Sequence, residues 1–475
     1  MLVWNQGAGR AVVAAAFIGM FGGCGKATSA STDRSCQPAE EQCASGGADA
    51  SNGGGAVDAR PLEPGQQGPT GQQAAAPSQP PPLQEPAQPP PPSAPRECGR
   101  RGVSTQADID ALEGCEVLLG DLVVWQPNAD LRPLHALTRI TGGVSLGSPE
   151  DERPLFTLEG LEQLESVGGS AMIDGLSITS LAPLRSLRTV TALYLTRLPN
   201  LIDLQGLDRL ELDDILLEVN DAPRLQSLRP LVFPARMSQR LLLRRVPSLS
   251  DLGDISRLES IVDLDLNQTA LTHLDELASL RSALILQVVN NPLLQDVSAL
   301  SGLVSTEFFT FYGNPQLLQL PAFPALSGVG TLTIEDNERL ESIGSYPLLT
   351  WMGGGWSGEL KVRNNASLQQ VDGLAGLEQT DRVLIQANAK LRSITLPGLR
   401  RVTQSLVVTS NPELDPSAVT ALAAVQATVA KLVGNDDEPT LRDPCPWLED
   451  NICDAPPHDT LCAEGSDAVD CPIPL

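Results

Sequence analysis

Aromatic residues make up only 3% of the 475 positions, and the chain has three histidines and four lysines. With so few large rings, a core has to come from Leu, Val and Ile, and repetition is the usual way such side chains make one. The histidines, His135, His273 and His458, fall in no HExxH-like spacing, and neither a GxSxG nor a P-loop phrase occurs, so the common hydrolytic and phosphate-binding chemistries have no motif here. With a formal charge of −26, the chain is a poor partner for nucleic-acid backbones or an anionic membrane surface. The four lysines, Lys26, Lys361, Lys390 and Lys431, against a majority of arginines reflect coding bias and point to no ligand. Cysteine is absent between Cys115 and Cys445, and the apolar run Ala11 to Phe21 falls short of the roughly 20 residues that span a bilayer.

That short run follows a polar start with Arg10 and precedes Gly22-Gly23-Cys24, the layout of a secretory signal peptide over residues 1–23. Phe21-Gly22-Gly23-Cys24 resembles a bacterial lipobox, which implies a diacylglycerol on the Cys24 thiol; an ordinary cleaved signal with an incidental cysteine is the alternative. Setting Cys24 aside leaves eight cysteines, Cys36, Cys43, Cys98, Cys115, Cys445, Cys453, Cys462 and Cys471, an even set suited to disulfides in an oxidising compartment. Residues 24–97 are rich in Ala, Gly, Ser, Gln and Pro, with ten prolines between Pro77 and Pro95. Such a segment buries too little apolar surface to fold and is expected to be a disordered tether reaching about 50 Å.

From Cys115 onward one phrase returns: an apolar-x-apolar strand, two further residues, often an Asn, then two residues and a Leu. Its clear copies are Leu332 to Leu340, Leu360 to Leu368, Val383 to Leu391 and Leu406 to Leu414. The Asn slot falls at 291, 314, 337, 365, 388 and 411, at intervals of 23, 23, 28, 23 and 23. Upstream it continues degenerately at Pro127, Pro149, Leu176, Leu198, Ala222, Val246 and Thr269, for thirteen coils in all. Two longer intervals hold Pro149 to Arg153 and Gly353 to Ser357, read as loops pushed out of regular coils. A period near 23 suits one strand and a tight helical or 3₁₀ return, so the fold class is an α/β solenoid: a right-handed parallel-sheet array over residues 98–434. An inward Asn at each corner is expected to serve backbone groups that no strand ladder reaches.

Leu137 to Leu146 (LTRITGGVSL) and Leu164 to Ile173 (LESVGGSAMI) resemble the phrase of receptor L domains, and the Cys98 and Cys115 pair ahead of the first coil is similar to that family's N-terminal cap. Leu264 to Leu274 (LDLNQTALTHL) looks more like a plain leucine-rich repeat. The resemblance covers about residues 98 to 434 and implies a binding solenoid. Receptor L domains usually have about half as many coils, so the array resembles two fused units or one long hybrid.

Alternation along the strands turns two residues per coil outward. Among these, Trp125, Tyr194, Arg244, Tyr312, Glu335, Lys361 and Arg363 are the candidate ligand-binding set, since exposed aromatics and arginines favour recognition. Trp351 and Trp356 in the Gly-rich insertion form a second candidate. Asp265, Glu335, Lys361 and Arg363 are also the charges that a polysaccharide-degrading β-helix would use, the enzymatic alternative; a merely solvated face is the bland one. Residues 435–475 carry the last four cysteines and resemble a small Cys-rich module of bacterial surface proteins, which implies a disulfide-rich C-terminal cap. Its acidic spacing makes Asp454, Asp467 and Asp470 possible calcium ligands. These readings together predict a non-catalytic lipoprotein of the cell envelope, anchored in the outer membrane and facing the surface or periplasm, that recognises a surface protein or glycan. A structural envelope spacer is the runner-up.

Overall fold

A computed structural model describes residues 94–99, 104–126, 129–147, 157–353 and 357–432, all within one compact unit that begins at Pro89. The signal peptide, Cys24, Cys36, Cys43, nearly all of the tether, the 149–153 loop, Trp356 and the Cys-rich module with Cys445, Cys453, Cys462, Cys471, Asp454, Asp467 and Asp470 lie outside the described residues.

Fourteen strands pair in chain order into one parallel sheet. They are β1 (Leu122–Val124), β2 (Val144–Gly147), β3 (Ser170–Asp174), β4 (Ala192–Thr196), β5 (Leu216–Asn220), β6 (Arg236–Val246) and β7 (Ser260–Thr269). Then follow β8 (Ser282–Val289), β9 (Ser305–Tyr312), β10 (Gly328–Glu335), β11 (Glu359–Arg363), β12 (Gln379–Gln386), β13 (Arg401–Thr409) and β14 (Gln426–Lys431). The chain is a leucine-rich parallel β-solenoid. Its first thirteen strands are those the repeat phrase marks; β14 is additional. Residues 426–431 read QATVAK, without a leucine or an Asn slot, and they pair at the open edge on β13, with Ala427 packed against the end of the core. The helical share expected of an α/β solenoid is small. Among the described residues the only α-helices are α1 (Gln106–Asp110), held by a Thr105–Asp108 capping box, and α2 (Pro416–Leu422). Returns are tight turns or short 3₁₀ segments such as Ala182–Leu184 and Asp275–Leu277.

Two residues per strand point inward, and parallel register stacks them into continuous rows. One row runs Leu193, Leu217, Leu241, Leu264, Leu286, Phe309, Leu332, Leu360, Val383 and Leu406. The return leucines meet these rows, and the whole set forms one apolar cluster from Ile109 to Leu422. The scarce aromatics concentrate near its middle, where Phe309, Phe311, Phe323 and Tyr346 contact one another with ring centroids 4.8 to 5.3 Å apart. At the N-terminal end Cys98 and Cys115 form a disulfide. Short strands Glu97–Cys98, Val117–Leu118, Arg139–Ile140 and Ser166–Val167 make a second, narrow parallel sheet there. The last two of these strands are the Ile and Val positions of the receptor-L-domain phrase.

The corner after each strand is built twice over. Just before the slot, eleven successive coils place a left-handed residue: Gly175, Arg197, Asp221, Arg245, Gln268, Asn290, Gly313, Asp336, Asn364, Ala387 and Ser410, with φ between 50° and 67°. In most of them this residue's N–H reaches the last outward carbonyl of the next strand, as from Asn290 to Tyr312, Gly313 to Glu335 and Asp336 to Arg363. In the slot itself, Asn291, Asn314, Asn337, Asn365, Asn388 and Asn411 are buried. The Asn337 amide donates to Phe311 O at 2.9 Å, Glu335 O at 3.0 Å and Asn365 Oδ1 at 3.2 Å. Its own Oδ1 accepts from the Asn314 backbone and side chain. The same pattern repeats from Asn291 to Asn388, and Thr269 ends the ladder by donating to Asn291 Oδ1 at 2.7 Å. Upstream slots are Leu176, Leu198, Ala222 and Val246, all buried, so there the corner is filled by apolar volume.

The ladder predicts unequal sensitivity. Asn337→Ala strands donors and acceptors on both neighbouring coils and is expected to lower unfolding stability by about 3–5 kcal/mol, whereas Thr269→Val removes only the two bonds of one terminal hydroxyl, to Asn291 Oδ1 and from the Leu271 N–H, and lowers it by about 1–2 kcal/mol. Urea unfolding of both variants checks this; equal losses would mean that an amide in the middle of the ladder holds the coils no more firmly than the hydroxyl at its end.

Candidate functional site

Three outward rows cross the sheet, because the central strands are long enough to add one position below the two expected. The middle row includes Met172, Tyr194, Glu218, Leu242, Asp265, Gln287, Thr310, Thr333, Lys361, Leu384 and Val407. The upper row passes Arg244, Asn267, Val289, Tyr312, Glu335, Arg363 and Gln386. The added lower row contains Arg240, Asp263, Ile285, Phe308, Thr331, Glu359 and Arg382. Its signal was present in the residue two places before each middle position.

The candidate binding residues do not sit together. Trp125 is 54% exposed at the N-terminal end, its indole N–H donating to Ser145 Oγ at 2.9 Å. Met172 is 40% exposed on β3, and Tyr194 is half-buried beside it on β4. On β10 and β11, Glu335 bridges Lys361 Nζ at 3.0 Å and an Arg363 guanidinium nitrogen at 3.3 Å. Tyr312 is half-buried on the neighbouring strand, where burial first, then Asp336, raises its pKa. Asp265 lies on β7, three strands away from Glu335 or about 14 Å, so the four charges named for a β-helix enzyme do not converge.

The face is also less open than alternation predicts. Leu242, Asp265, Glu335 and Thr409 are buried, and Leu384 and Val407, at 0% exposure, form a small apolar cluster separate from the main core. Strands about 4.8 Å apart in exact stacking make outward side chains shield one another. Trp351 remains 48% exposed on its loop, while Tyr346 lies in the core with its hydroxyl on Ile343 O.

The most unusual electrostatics are on β6 and β7. Asp263 is 6% and Asp265 2% exposed. Arg244 Nε meets Asp265 Oδ2 at 2.5 Å, but Arg240 Nε stands 3.9 Å from Asp263 Oδ2, too far for a hydrogen bond. The Oδ1 atom of each aspartate is buried without a hydrogen-bond partner. Burial raises both pKa values; for Asp263 it outweighs the attraction of Arg240, and the value is pushed up to about 6. Glu218, across on β5, adds a further negative charge felt by Arg244 and Asp265. Among the described residues no group of three or more His, Cys, Asp or Glu is arranged to hold a metal, and no helix is long and apolar enough to cross a membrane.

No family model matches the chain, and no curated protein matches it. Solved structures similar to it include an internalin from Listeria monocytogenes, 14% identical over 69% of this chain and 82% of that one, with a TM-score of 0.29. A leucine-rich-repeat protein from Leptospira interrogans is 16% identical over 68% and 92%, with a TM-score of 0.24. The functional domain of InlJ from Listeria monocytogenes is 13% identical over 67% and 72%, with a TM-score of 0.25. The leucine-rich solenoid stands on the stacked rows and corners of this chain itself.

Asp263 gives a pH signature of unusual sign. Folding raises its pKa from the ordinary 3.8 to about 6, so the folded state takes up a proton more readily than the unfolded chain. The destabilisation is full above pH 6 and fades as pH falls through 6 toward 4. Asp263→Asn is therefore expected to stabilise the protein by on the order of 2–3 kcal/mol at pH 7.5 and to leave it nearly unchanged at pH 4. Denaturant unfolding at the two pH values reads this directly.

Proposed function

We propose that this protein is a non-catalytic recognition protein whose outer sheet face engages a macromolecular partner, a protein surface in preference to a glycan. The observation that carries this is the desolvated charge on that face. Asp263, Asp265, Glu335 and Arg382 are buried outside the leucine core, where they add nothing to its packing. Burying charge is unfavourable even when it is paired. A face that keeps such groups at fixed positions, and carries Met172, Tyr194, Tyr312 and Phe308 on other strands of the same side, has the make-up of a specific contact surface. The coils around Leu137 to Ile173 are read as receptor-L-domain-like, and those from Leu264 as plainer repeats. A lipid on Cys24 and the Pro-rich segment after it are read as anchor and tether, which places the solenoid at the cell envelope.

Three of the candidate residues need a different test from a simple surface residue. Lys361, Arg363 and Glu335 form a mostly buried ion cluster, so truncating any of them disturbs stability as well as binding. Met172 and Tyr194 are the cleaner probes. Purified full-length chain applied to arrays of surface proteins and glycans is expected to retain partners that Met172→Ser and Tyr194→Ser lose. Leu348→Ser and Val232→Ser, exposed apolar residues on the returns, are expected to retain them. Loss in the return variants and not in the face variants would refute the assignment of the face, and retention of no partner by any form would favour a spacer.

A further inference from the structure

The β6–β7 cluster has an incomplete set of hydrogen bonds of one kind. Two buried oxygens on β7, Asp263 Oδ1 and Asp265 Oδ1, accept from nothing. Both carboxylates are met from β6, Asp263 by Arg240 and Asp265 by Arg244, and only the second pair is hydrogen-bonded. Both free oxygens are acceptors, and what is missing is a donor. Charge is missing in the same sense: three carboxylates, Glu218, Asp263 and Asp265, face two guanidinium groups, Arg240 and Arg244, and one negative charge is left over. The neighbours on β8 in these rows, Ile285 and Gln287, carry no charge to balance it.

We propose that this patch is the docking site for a guanidinium group of an arginine-bearing protein partner. The proposal rests on the outer face being the recognition surface and names the chemistry it selects. Aspartates at 263 and 265 stand two residues apart on one strand, roughly 6.6 Å, and point to the same side. A planar guanidinium with five N–H donors serves acceptors at that spacing, while a compact ammonium with three donors reaches fewer of them. Arg240 is the side chain that gives way. Its side chain is 35% exposed, and its 3.9 Å separation from Asp263 holds no hydrogen bond that entry would break. Arg244, hydrogen-bonded to Asp265, stays in place and fixes that carboxylate. Because the incoming cation needs ionised carboxylates, protonation of Asp263, whose pKa burial raises, opposes docking as pH falls below 6. The charged groups facing it are Asp265 on its own strand and Arg240 and Arg244 on β6, with the uncharged Ile285 beside it on β8; Glu218 on β5 acts on Asp265 and Arg244.

The test titrates full-length protein by calorimetry with two short amidated probes, acetyl-(Gly-Arg)3 and acetyl-(Gly-Lys)3, at physiological salt so that the overall charge of −26 is screened. The arginine probe is expected to bind at least about 10-fold more tightly than the lysine probe. Asp263→Asn and Asp265→Asn are each expected to weaken it by about 10-fold or more, as does lowering the pH from 7.5 to 5. Arg240→Gln, which removes the competing cation, is expected to tighten it, and this variant decides the matter even if an aspartate variant fails to fold. Glu338→Gln, an exposed carboxylate at the corner after β10, is the control for bulk attraction. Equal binding of the two probes, equal loss in the control, or weaker binding by Arg240→Gln each overturns the site. The array experiment separates this from the wider reading. Partners lost with Tyr194→Ser but kept with Asp263→Asn leave the face in place and remove the guanidinium site; partners kept with both remove both.

Discussion

The corner between strand and return is the constraint on which the rest of this solenoid depends. A parallel coil has to leave its strand sharply enough for the next side chain to enter the core, and the left-handed residue before each slot makes that turn. Nine of these residues are not glycine, and each non-glycine residue there is disfavoured by about 1 kcal/mol or more. The turn persists because it aims an N–H at the carbonyl of the following strand, tying adjacent coils together where the regular ladder ends. Repeated in most of the eleven coils, that bond helps fix one register for the whole sheet. Everything on the outer face inherits its position from it.

Two fillings of the same corner divide the chain. From Thr269 onward the slot is polar, and the amides form a continuous hydrogen-bonded file; before it the slot is Leu, Ala or Val and the corner is simply packed. The seam falls at β7, the strand that carries Asp263 and Asp265. This juxtaposition has a mechanical consequence. The carboxylates with an unsatisfied oxygen sit on the first strand whose corner is anchored to the amide file, with the packed corners on one side and the hydrogen-bonded ones on the other. Strain from desolvated charge is therefore borne by a strand held at its end, and a site meant to receive a directional ligand needs such support.

Much of the solenoid was legible in the sequence because a period of 23 reports itself through leucines that must be buried and asparagines that must turn inward. Thirteen of the strands could be placed that way. The fourteenth could not, since Gln426 to Lys431 are ordered by the edge they join and by nothing in their own pattern. The left-handed positions were hidden for a related reason: Arg197, Gln268, Ala387 and Ser410 share no residue type, and their conformation is imposed by the coil that follows. The outer face was read correctly in direction and wrongly in exposure. Alternation says which way Leu384 or Asp265 points, but burial on that side depends on the lengths of side chains in adjacent strands, which lie some 23 residues away in sequence. Asp263 was missed altogether because the central strands extend one outward position further than the repeat phrase.

Those two failures bear on each other. A sequence pattern captures groups whose placement lowers the free energy of folding, since the repeat is the record of that packing. Groups that are unfavourable to fold leave no periodic trace, and Asp263 and Asp265 are of that kind: acidic, outward and buried, each with an oxygen that accepts no hydrogen bond. If their only role were solvation of a sheet, the stacked rows would be filled by Thr, Gln and Ser, as Thr310, Thr333 and Gln287 already fill part of the middle row. The neighbouring coils show that the scaffold accepts such residues at the same register. The acidic positions are therefore explained by an interaction that the folded chain does not complete within these rows. The electrostatic imbalance at β5 to β7 identifies the sign of what completes it.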